Sequence, residues 1–258
     1  MEAVLVGEPD GAVRLVRDAG RAVDGLADPC LRDGDLERRV EVVVGVGARV
    51  GLVRTDAARD VRRSESIARE PRDRLVFDGA APVAIANARL PASSVRLYGA
   101  LVRGAQMAGA LESILAQAVR YAGERVQFGR PIGQFQIIQQ ELARLAGDVA
   151  AALVAAEAAF AAAARADAEA AFDPTFEIAV AKTRIGEAVD RATSIAHQTH
   201  GAIGFTYEHG LHFATRRLWT WRAEFGSDAF WAGELGRMTL RGGAAALWPD
   251  LTARAARS

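Results

Sequence analysis

The chain has 258 residues, half of them apolar, and its 32 basic and 32 acidic side chains cancel. That length can bury one large core or two smaller ones, and the apolar content excludes general disorder. Zero net charge leaves no footprint for nucleic acid or a strongly charged membrane surface. The single cysteine, Cys30, cannot form an internal disulfide, and the start MEAVLVGEPDG lacks the flank and core of a secretion signal, so cytoplasmic residence is expected.

Up to residue 92 the chain alternates short runs of β-favouring residues with Gly, Asp and Pro. Runs at 3–6, 12–16, 42–46, 74–77 and 83–85 predict short strands of a small β domain over residues 1–92. Residues 33–44 admit a helix running into a strand, and the Arg- and Asp-rich stretch 54–74 reads as a loop. Within GVGARVG, residues 45–51, the third glycine falls four residues after the second, and no acidic residue follows at the ribose-binding distance in a βαβ setting. The segment is read as a glycine-rich β-turn rather than a dinucleotide loop.

Helical periodicity then takes over and defines a second domain over 93–258. The first helix, 95–124, follows Ser93 and Ser94 and repeats Leu101, Met107, Leu111, Ile114, Leu115 and Val119 at helical spacing. A second covers 135–164 or a little beyond, and Pro174 introduces a third at 175–200, since the N–H that proline lacks is not needed in a first helical turn. Shorter helices are expected at 208–218 and 227–247. The alanine-rich run 150–171 is interrupted by Glu157, Arg165, Asp167 and Glu169, and alanine inserts weakly into membranes, so a soluble helix is expected there. Broad apolar faces predict an antiparallel helical bundle with further burial against another subunit, and an α+β fold for the whole chain.

Between the first two bundle helices lies YAGERVQFGRPIGQFQ, residues 121–136. A guanidinium at Arg125 suits a diphosphate, Gly129 lets the backbone turn, and Phe128 can cover an apolar ring edge. In HQTHGAIGFTYEH, residues 197–209, close glycines permit a sharp helix exit and leave backbone amides near an anion. Together these segments resemble the C-terminal, flavin-contacting helical domain of the acyl-CoA dehydrogenases, with YAxERxxFG and PIxxFQ matching in order and spacing; the resemblance covers about residues 93–248. It implies that Arg125 and Phe128 reach the flavin adenine dinucleotide (FAD) of a neighbouring subunit and that Gln136 contacts its adenine-side portion. It adds Gln198, Gly201, Ala202, Gly226 and Ser227 as cofactor-binding positions, Ala202 standing where the family commonly has a further glycine.

The same resemblance implies a deficit. The family's catalytic carboxylate takes the α-proton of the thioester while the β-hydrogen leaves as hydride to the flavin. Its Glu-Gly-Thr segment is here Phe225-Gly226-Ser227, and phenylalanine cannot accept a proton. Some members carry the base in the first long helix of this domain, but the corresponding region near Gly99 has no carboxylate. Glu224 is a reserve catalytic candidate only, because a misplacement of about 1 Å costs about 100-fold in rate. Glu112 reads as a surface or packing residue, and Glu208, with His212 and Arg216 at successive i+4 positions, as a local pairing residue.

The histidines His197, His200, His209 and His212 form two H-x-x-H pairs without a metal-hydrolase signature, so they read as packing or cofactor-edge groups and no metal is expected. Trp219, Trp221, Phe225, Phe230 and Trp231 suit either an acyl pocket or a subunit anchor. The match does not include the family's N-terminal helical domain, which helps enclose flavin and thioester. The resemblance therefore implies an incomplete subunit that shares an FAD site with a full-length acyl-CoA dehydrogenase subunit, in a heterodimer or heterotetramer oxidising an acyl-CoA thioester. Two readings stay open beside it: an independent homo-oligomeric enzyme using a displaced acid such as Glu224, and a scaffold that has lost flavin binding.

Overall fold

A computed structural model describes residues 3–7, 13–17, 41–46, 49–87, 93–169 and 172–243, with 245, 246, 248, 249 and 252. Cys30 and the alternative at residues 33–40 lie outside the described residues. The chain divides into two compact units, Met1–Arg96 and Leu97–Ser258.

In the first unit the valine-rich segments EVVVGV and RVGLVR form β3 (Glu41–Val46) and β4 (Arg49–Arg54), paired antiparallel from Glu41 opposite Arg54 to Val46 opposite Arg49. Gly45 and Gly51 thus lie opposite Val50 and Val44 in paired antiparallel strands, not in a strand-to-helix turn that cradles phosphates. The last strand, β7 (Ala84–Asn87), lies along β4 to complete a three-stranded sheet. A four-stranded sheet takes the order β1 (Ala3–Gly7), β2 (Val13–Arg17), β6 (Arg74–Val76), β5 (Asp60–Arg62), antiparallel throughout.

The stretch 54–74, expected as a loop, carries a 3-10 turn at Thr55–Ala57, strand β5 and a bridge between Glu65 and Pro71. Charge hides this strand from a hydrophobic reading. Arg62 pairs with Asp60 at 2.9 Å and Arg59 with Asp78 at 2.6 Å, while the apolar anchor, Leu75, sits on the neighbouring strand.

The second unit is built on five helices: α1 (Ser93–Glu124), α2 (Gln136–Ala168), α3 (Thr175–His200), α4 (Leu211–Ala223) and α5 (Asp228–Gly242). Their buried faces merge in one core that includes Met107, Leu111 and Ile114 of α1, Leu145 and Val149 of α2, Ile178, Ile185 and Val189 of α3, Leu211 and Leu218 of α4 and Trp231 of α5. α2 and α3 pack together, and each buries several alanines in the shared core: Ala152, Ala156 and Ala159 from α2, Ala181, Ala188 and Ala192 from α3. Short side chains let the two backbones approach closely while costing no side-chain entropy. α3 is also fitted closely to α5, since a Cβ on Gly186 would stand 2.6 Å from Cβ of Asp228.

Among the described residues, α2 is the one helix long and apolar enough, by length and composition, to cross a membrane. Its apolar stripe instead lies against α3, and that stripe contains Asp148, only 4 % exposed and held by Arg184 at 2.6 Å and by Arg191 at 2.5 and 2.7 Å. An ion-paired carboxylate in the packed face fits a bundle helix of a non-membrane protein.

The Arg191 hydrogen bonds, helped by Arg184 and opposed by desolvation, hold the Asp148 carboxyl below its ordinary value of 3.8. Folding therefore favours the charged form. Stability from this clasp is complete above about pH 4 and is lost as pH falls through the lowered value. Asp148→Ala is expected to destabilise the unit by about 2 kcal/mol, a figure discounted because the Arg191 side chain is more than half exposed, and to flatten the acid limb of a urea-midpoint profile. An unchanged acid limb in the variant would remove this role from Asp148.

Candidate functional site

At the end of α1 the chain leaves the helix with Arg125 N–H donating to the Tyr121 carbonyl at 2.8 Å and returns when Ile132 N–H donates to the Arg125 carbonyl at 2.8 Å. Between them β8 (Val126–Gln127) and β9 (Arg130–Pro131) form a minimal hairpin whose two connecting residues are Phe128 and Gly129. Their φ values are 53° and 78°, the positive pair that a two-residue type I′ turn requires. Glycine takes this conformation freely; phenylalanine does not. The strained residue is also 91 % exposed, an unusual state for a phenyl ring.

The ring is nevertheless oriented. It meets Phe135 edge-on at 6.2 Å between centroids, and the Arg130 guanidinium lies 4.3 Å from the centre of the Phe135 ring. Arg125 and Gln136 are exposed beside this hairpin, and the Arg125 side chain makes no ion pair among the described residues. The structure thus gathers an uncommitted guanidinium, a presented aromatic ring and an amide on one short connector. Such a group can bind a phosphate-bearing, ring-containing ligand approaching from outside the chain.

The histidine segment lies against the same end of the bundle. α3 terminates at Gly201, whose φ of 64° turns the chain into a 3-10 turn, Gly201–Phe205. His200, 3 % exposed, donates from Nδ1 to the Ala196 carbonyl at 2.7 Å and stacks on Tyr121 at 4.6 Å, while His209 meets both rings edge-on. That stack joins the 121–136 segment to the 197–209 segment. His197 stacks on Phe205 at 4.3 Å and reaches Thr215 Oγ1 through Nε2 at 3.0 Å, and His212 donates from Nδ1 to the His209 carbonyl at 2.9 Å.

All four histidines make ring or backbone contacts within the turn, and no cluster fit to hold a metal occurs among the described residues. Burial pushes His197 and His200 below the ordinary histidine value, for His197 with the fields of His200 and His212 added whenever those rings are charged, so the fold favours the neutral form of each. Around them Gln198, Gly201 and Ala202 are exposed.

The other sequence-predicted residues lie elsewhere. Gly99, the helix position against which Phe225 packs, and Tyr121 are on one unbroken helix, about 33 Å apart at 1.5 Å per residue. Glu224, Phe225, Gly226 and Ser227 therefore stand at the opposite end of the bundle from Arg125, Phe128, Gln136, Gln198, Gly201 and Ala202.

At this far end the connection from α4 to α5 is tied from three sides. Arg103 of α1 donates from Nε to Glu224 Oε2 at 2.5 Å, with both side chains buried, and its guanidinium lies 5.2 Å from the centre of the Trp221 ring. Lys182 of α3, with no exposed surface, donates from Nζ to the carbonyls of Trp221 at 3.2 Å and Arg222 at 2.8 Å, closing the C-terminus of α4 where the helix dipole favours a cation. Arg222 grips Asp228 with two bonds of 2.9 and 2.8 Å and reaches Asp190 at 2.9 Å.

Within that frame Phe225 has φ 53° and Gly226 φ 97°. The Phe225 carbonyl accepts from Trp231 Nε1 at 3.0 Å, and the Ser227 hydroxyl caps α5 by accepting from Phe230 N–H at 3.2 Å. Arg103 and Lys182 carry this geometry and were not singled out from the sequence. A signal existed for Lys182: it is the one charged residue in the stripe Ile178, Ala181, Lys182, Ile185, Val189, which is otherwise apolar at helical spacing.

The model of the acyl-CoA dehydrogenase C-terminal domain matches residues 96–237, more than half of the chain. The acyl-CoA dehydrogenase IpdE2 of Mycobacterium tuberculosis is 39 % identical over 118 residues, which are 46 % of this chain and 34 % of that protein. Among solved structures, the ChsE4–ChsE5 complex from Mycobacterium tuberculosis superposes with a TM-score of 0.63 at 20 % identity, covering 92 % of this chain and 62 % of that one. PigA with FAD and proline gives 0.63 at 20 % identity, over 74 % and 51 %. The chain thus spans about a third of the length of IpdE2 and under two thirds of each solved chain.

Proposed function

The chain belongs to the acyl-CoA dehydrogenase family, and on that premise we propose that it is an incomplete, cytoplasmic subunit of a flavin-dependent acyl-CoA dehydrogenase complex. It presents Arg125, Phe128 and Gln136, with Gln198, Gly201 and Ala202 behind them, to FAD held largely by a full-length partner subunit in a heterodimer or heterotetramer. The observation carrying this reading is the strained, exposed Phe128 beside the uncommitted Arg125, beyond the Tyr121 end of α1, while the segment where a base is missing packs on Gly99, about 33 Å back along that helix. Groups at opposite ends of one helix serve different sites, which supports the reading that the Phe128 end faces a ligand held by another chain.

Bound flavin would supply the hydride acceptor for α,β-dehydrogenation of an acyl-CoA thioester. The chain's own residues position and shield. Arg125 offers directed N–H donors to a diphosphate, Phe128 covers a ring edge, and the Tyr121–His200 stack keeps the two contributing segments in register. At the other end Glu224 is a positioning residue, its carboxylate engaged by Arg103 inside the fold. ChsE4–ChsE5, a complex of two chains, shares the fold and supports a heteromeric assembly.

The test is flavin per chain, read from visible absorbance for the chain purified alone and with its co-encoded full-length dehydrogenase. Flavin retained only in the mixed assembly is the expected result. One flavin per isolated chain would replace this reading with an independent enzyme, and none in either preparation with a scaffold. Arg125→Ala is expected to weaken flavin retention in the mixed assembly about tenfold or more, the scale of one charge-assisted hydrogen bond, while the thermal midpoint of the isolated chain stays put. Equal retention by the variant would take Arg125 out of the site.

A further inference from the structure

We propose that the turn joining α3 to α4 is a proton-operated latch, held shut by uncharged histidine rings and opened when His200 takes a proton. Its parts come from α1, α3 and α4. His200 ends α3, and its ring contacts Tyr121 of α1, stacked at 4.6 Å, and His209 of the turn, edge-on at 4.6 Å. His209 in turn sets the start of α4 by accepting the Leu211 N–H on Nδ1 at 3.2 Å. His212 lies in the first turn of α4, its ring against Tyr207 and Phe213.

These contacts fix where each proton sits. A carbonyl only accepts, so Nδ1 of His200 carries the hydrogen that it gives to Ala196, and Nδ1 of His212 the one that it gives to His209. The other nitrogen of each ring, Nε2, is then a bare acceptor, buried with no hydrogen-bond partner among the described residues; Nδ1 of His197 is likewise buried without one. A proton arriving at His200 therefore creates a buried N–H that meets no acceptor, which is costly in the interior of a fold. One arriving at His209 turns Nδ1 into a donor facing the Leu211 N–H, at the end of α4 where the helix dipole repels a cation.

No counter-charge is at hand. Tyr121 and His209 are the titratable groups against His200 and Tyr207 is the one against His212, while Phe205, Phe213 and Thr215 complete the ring contacts. Glu124 and Arg125 at the end of α1, Glu208 in the turn and Arg216 on α4 make no hydrogen bond or ion pair with the four rings. Burial is the largest influence against charged His197 and His200; the Ala196 carbonyl partly offsets it for His200, and neighbouring histidines add to it. The closed turn thus binds these protons less readily than the open one, so its stability is whole above about pH 6.5 and falls as pH drops below that value. The Asp148 clasp between α2 and α3 stays charged down to about pH 4, which leaves a window where the turn opens and the bundle holds.

Opening reaches the surface described above. Tyr121 begins the segment that carries Arg125 and Phe128, and Gln198, Gly201 and Ala202 lie in or beside the turn, so a protonated latch loosens both halves of the site at once. That consequence rests on the subunit reading; the opening itself does not. The test is hydrogen exchange read by mass spectrometry on the full chain at about pH 7.5 and about pH 5, with rates scaled to the intrinsic chemistry at each pH. Protection across residues 201–213 is expected to fall at least about tenfold at the lower pH, the factor one ring contributes per pH unit once only the open form takes the proton. Protection across 178–192 of α3 should hold.

His200→Phe keeps an aromatic ring against Tyr121 and cannot take a proton, so in this variant the fall should shrink to under about threefold. A wild-type turn equally protected at both pH values overturns the proposal, as does a full-sized fall in His200→Phe. Wild type also decides alone, whatever the variant does to folding. The pH midpoint at which the His200 ring takes its proton, followed by ring-nitrogen NMR shifts, is expected to coincide with the midpoint of opening, and separate midpoints remove the latch. Flavin retention by the mixed assembly at neutral pH reports on the subunit reading whichever way the exchange falls, so the two can fail separately.

Discussion

Glu224→Ala is expected to destabilise the helical unit by about 3–5 kcal/mol, because truncating one partner of a buried ion pair leaves the other charge desolvated. Glu224 is 7 % exposed and Arg103 is 5 % exposed, so water cannot replace the lost carboxylate without opening the packing between α1 and the α4–α5 connection. The measurement is a urea titration: the midpoint should fall with little change in slope, the signature of lost stability rather than of a more compact unfolded state. Arg103→Met combined with Glu224→Leu should recover most of the loss, since well-packed apolar pairs often replace buried ion pairs at little cost.

Glu224→Gln supplies the functional half of this test. It keeps shape and one acceptor, so a mixed complex that retains flavin and full thioester oxidation with this variant assigns Glu224 to positioning alone. Loss of oxidation with flavin retained would instead make it the displaced base of an independent enzyme.

Lys182 gives the second large effect, in the dependence of stability on pH. Burial pushes its ammonium from the ordinary 10.5 down to about 7; Asp228 opposes the shift, and Arg103 and Arg222 reinforce it. As a neutral amine Lys182 keeps two N–H donors, enough for the Trp221 and Arg222 carbonyls that it holds. Between about pH 7 and pH 10.5 the unfolded chain binds the proton and the folded chain does not, so the lysine's contribution makes stability rise with pH through that window and leaves it flat outside.

The difference between wild type and Lys182→Met isolates this slope from other titrations. Wild type is expected to gain about 2 kcal/mol relative to the variant between about pH 7.5 and 9.5, read from urea midpoints at each pH. Parallel profiles for the two proteins would mean that Lys182 stays protonated inside the fold, with Asp228 as its counter-charge.

The helical unit was readable because its cues are local and periodic. Pro174 and the apolar spacing after it place the third helix at 175–200, where the structure has it. The first helix begins at Ser93 rather than residue 95, and the second runs a little beyond 164 as expected, to Ala168, where Arg165 bonds Glu169 one turn on and sustains the last turn. α4 spans Leu211–Ala223 instead of 208–218: His209 Nδ1 accepts from Leu211 N–H and sets the start, and Lys182 closes the end. In the β unit, β4 and β5 escaped notice because arginine and glycine interrupt one and charge fills the other.

The candidate site divides along the same line. Tyr121 to Gln136 is contiguous, so its order and spacing could be read directly. The corner around Glu224 could not be, since its decisive contacts join residues far apart in the chain: Arg103 to Glu224 across 121 positions and Lys182 to the α4 carbonyls across 39 and 40. Gly99 and Phe225 were each conspicuous for lacking a carboxylate. That they touch is a property of packing α1 against the α4–α5 connection, visible in neither segment alone.

The turn at Phe128 also bears on how quickly this chain can find whatever it docks against. Its ring is fixed by the hairpin and by Phe135 before any encounter, so no loop has to fold at the moment of contact and little rotamer freedom remains to be lost. Association then becomes the orientation of a rigid ridge, with a rate governed by diffusion and alignment, and changes around the hairpin should register mainly as faster escape rather than slower capture.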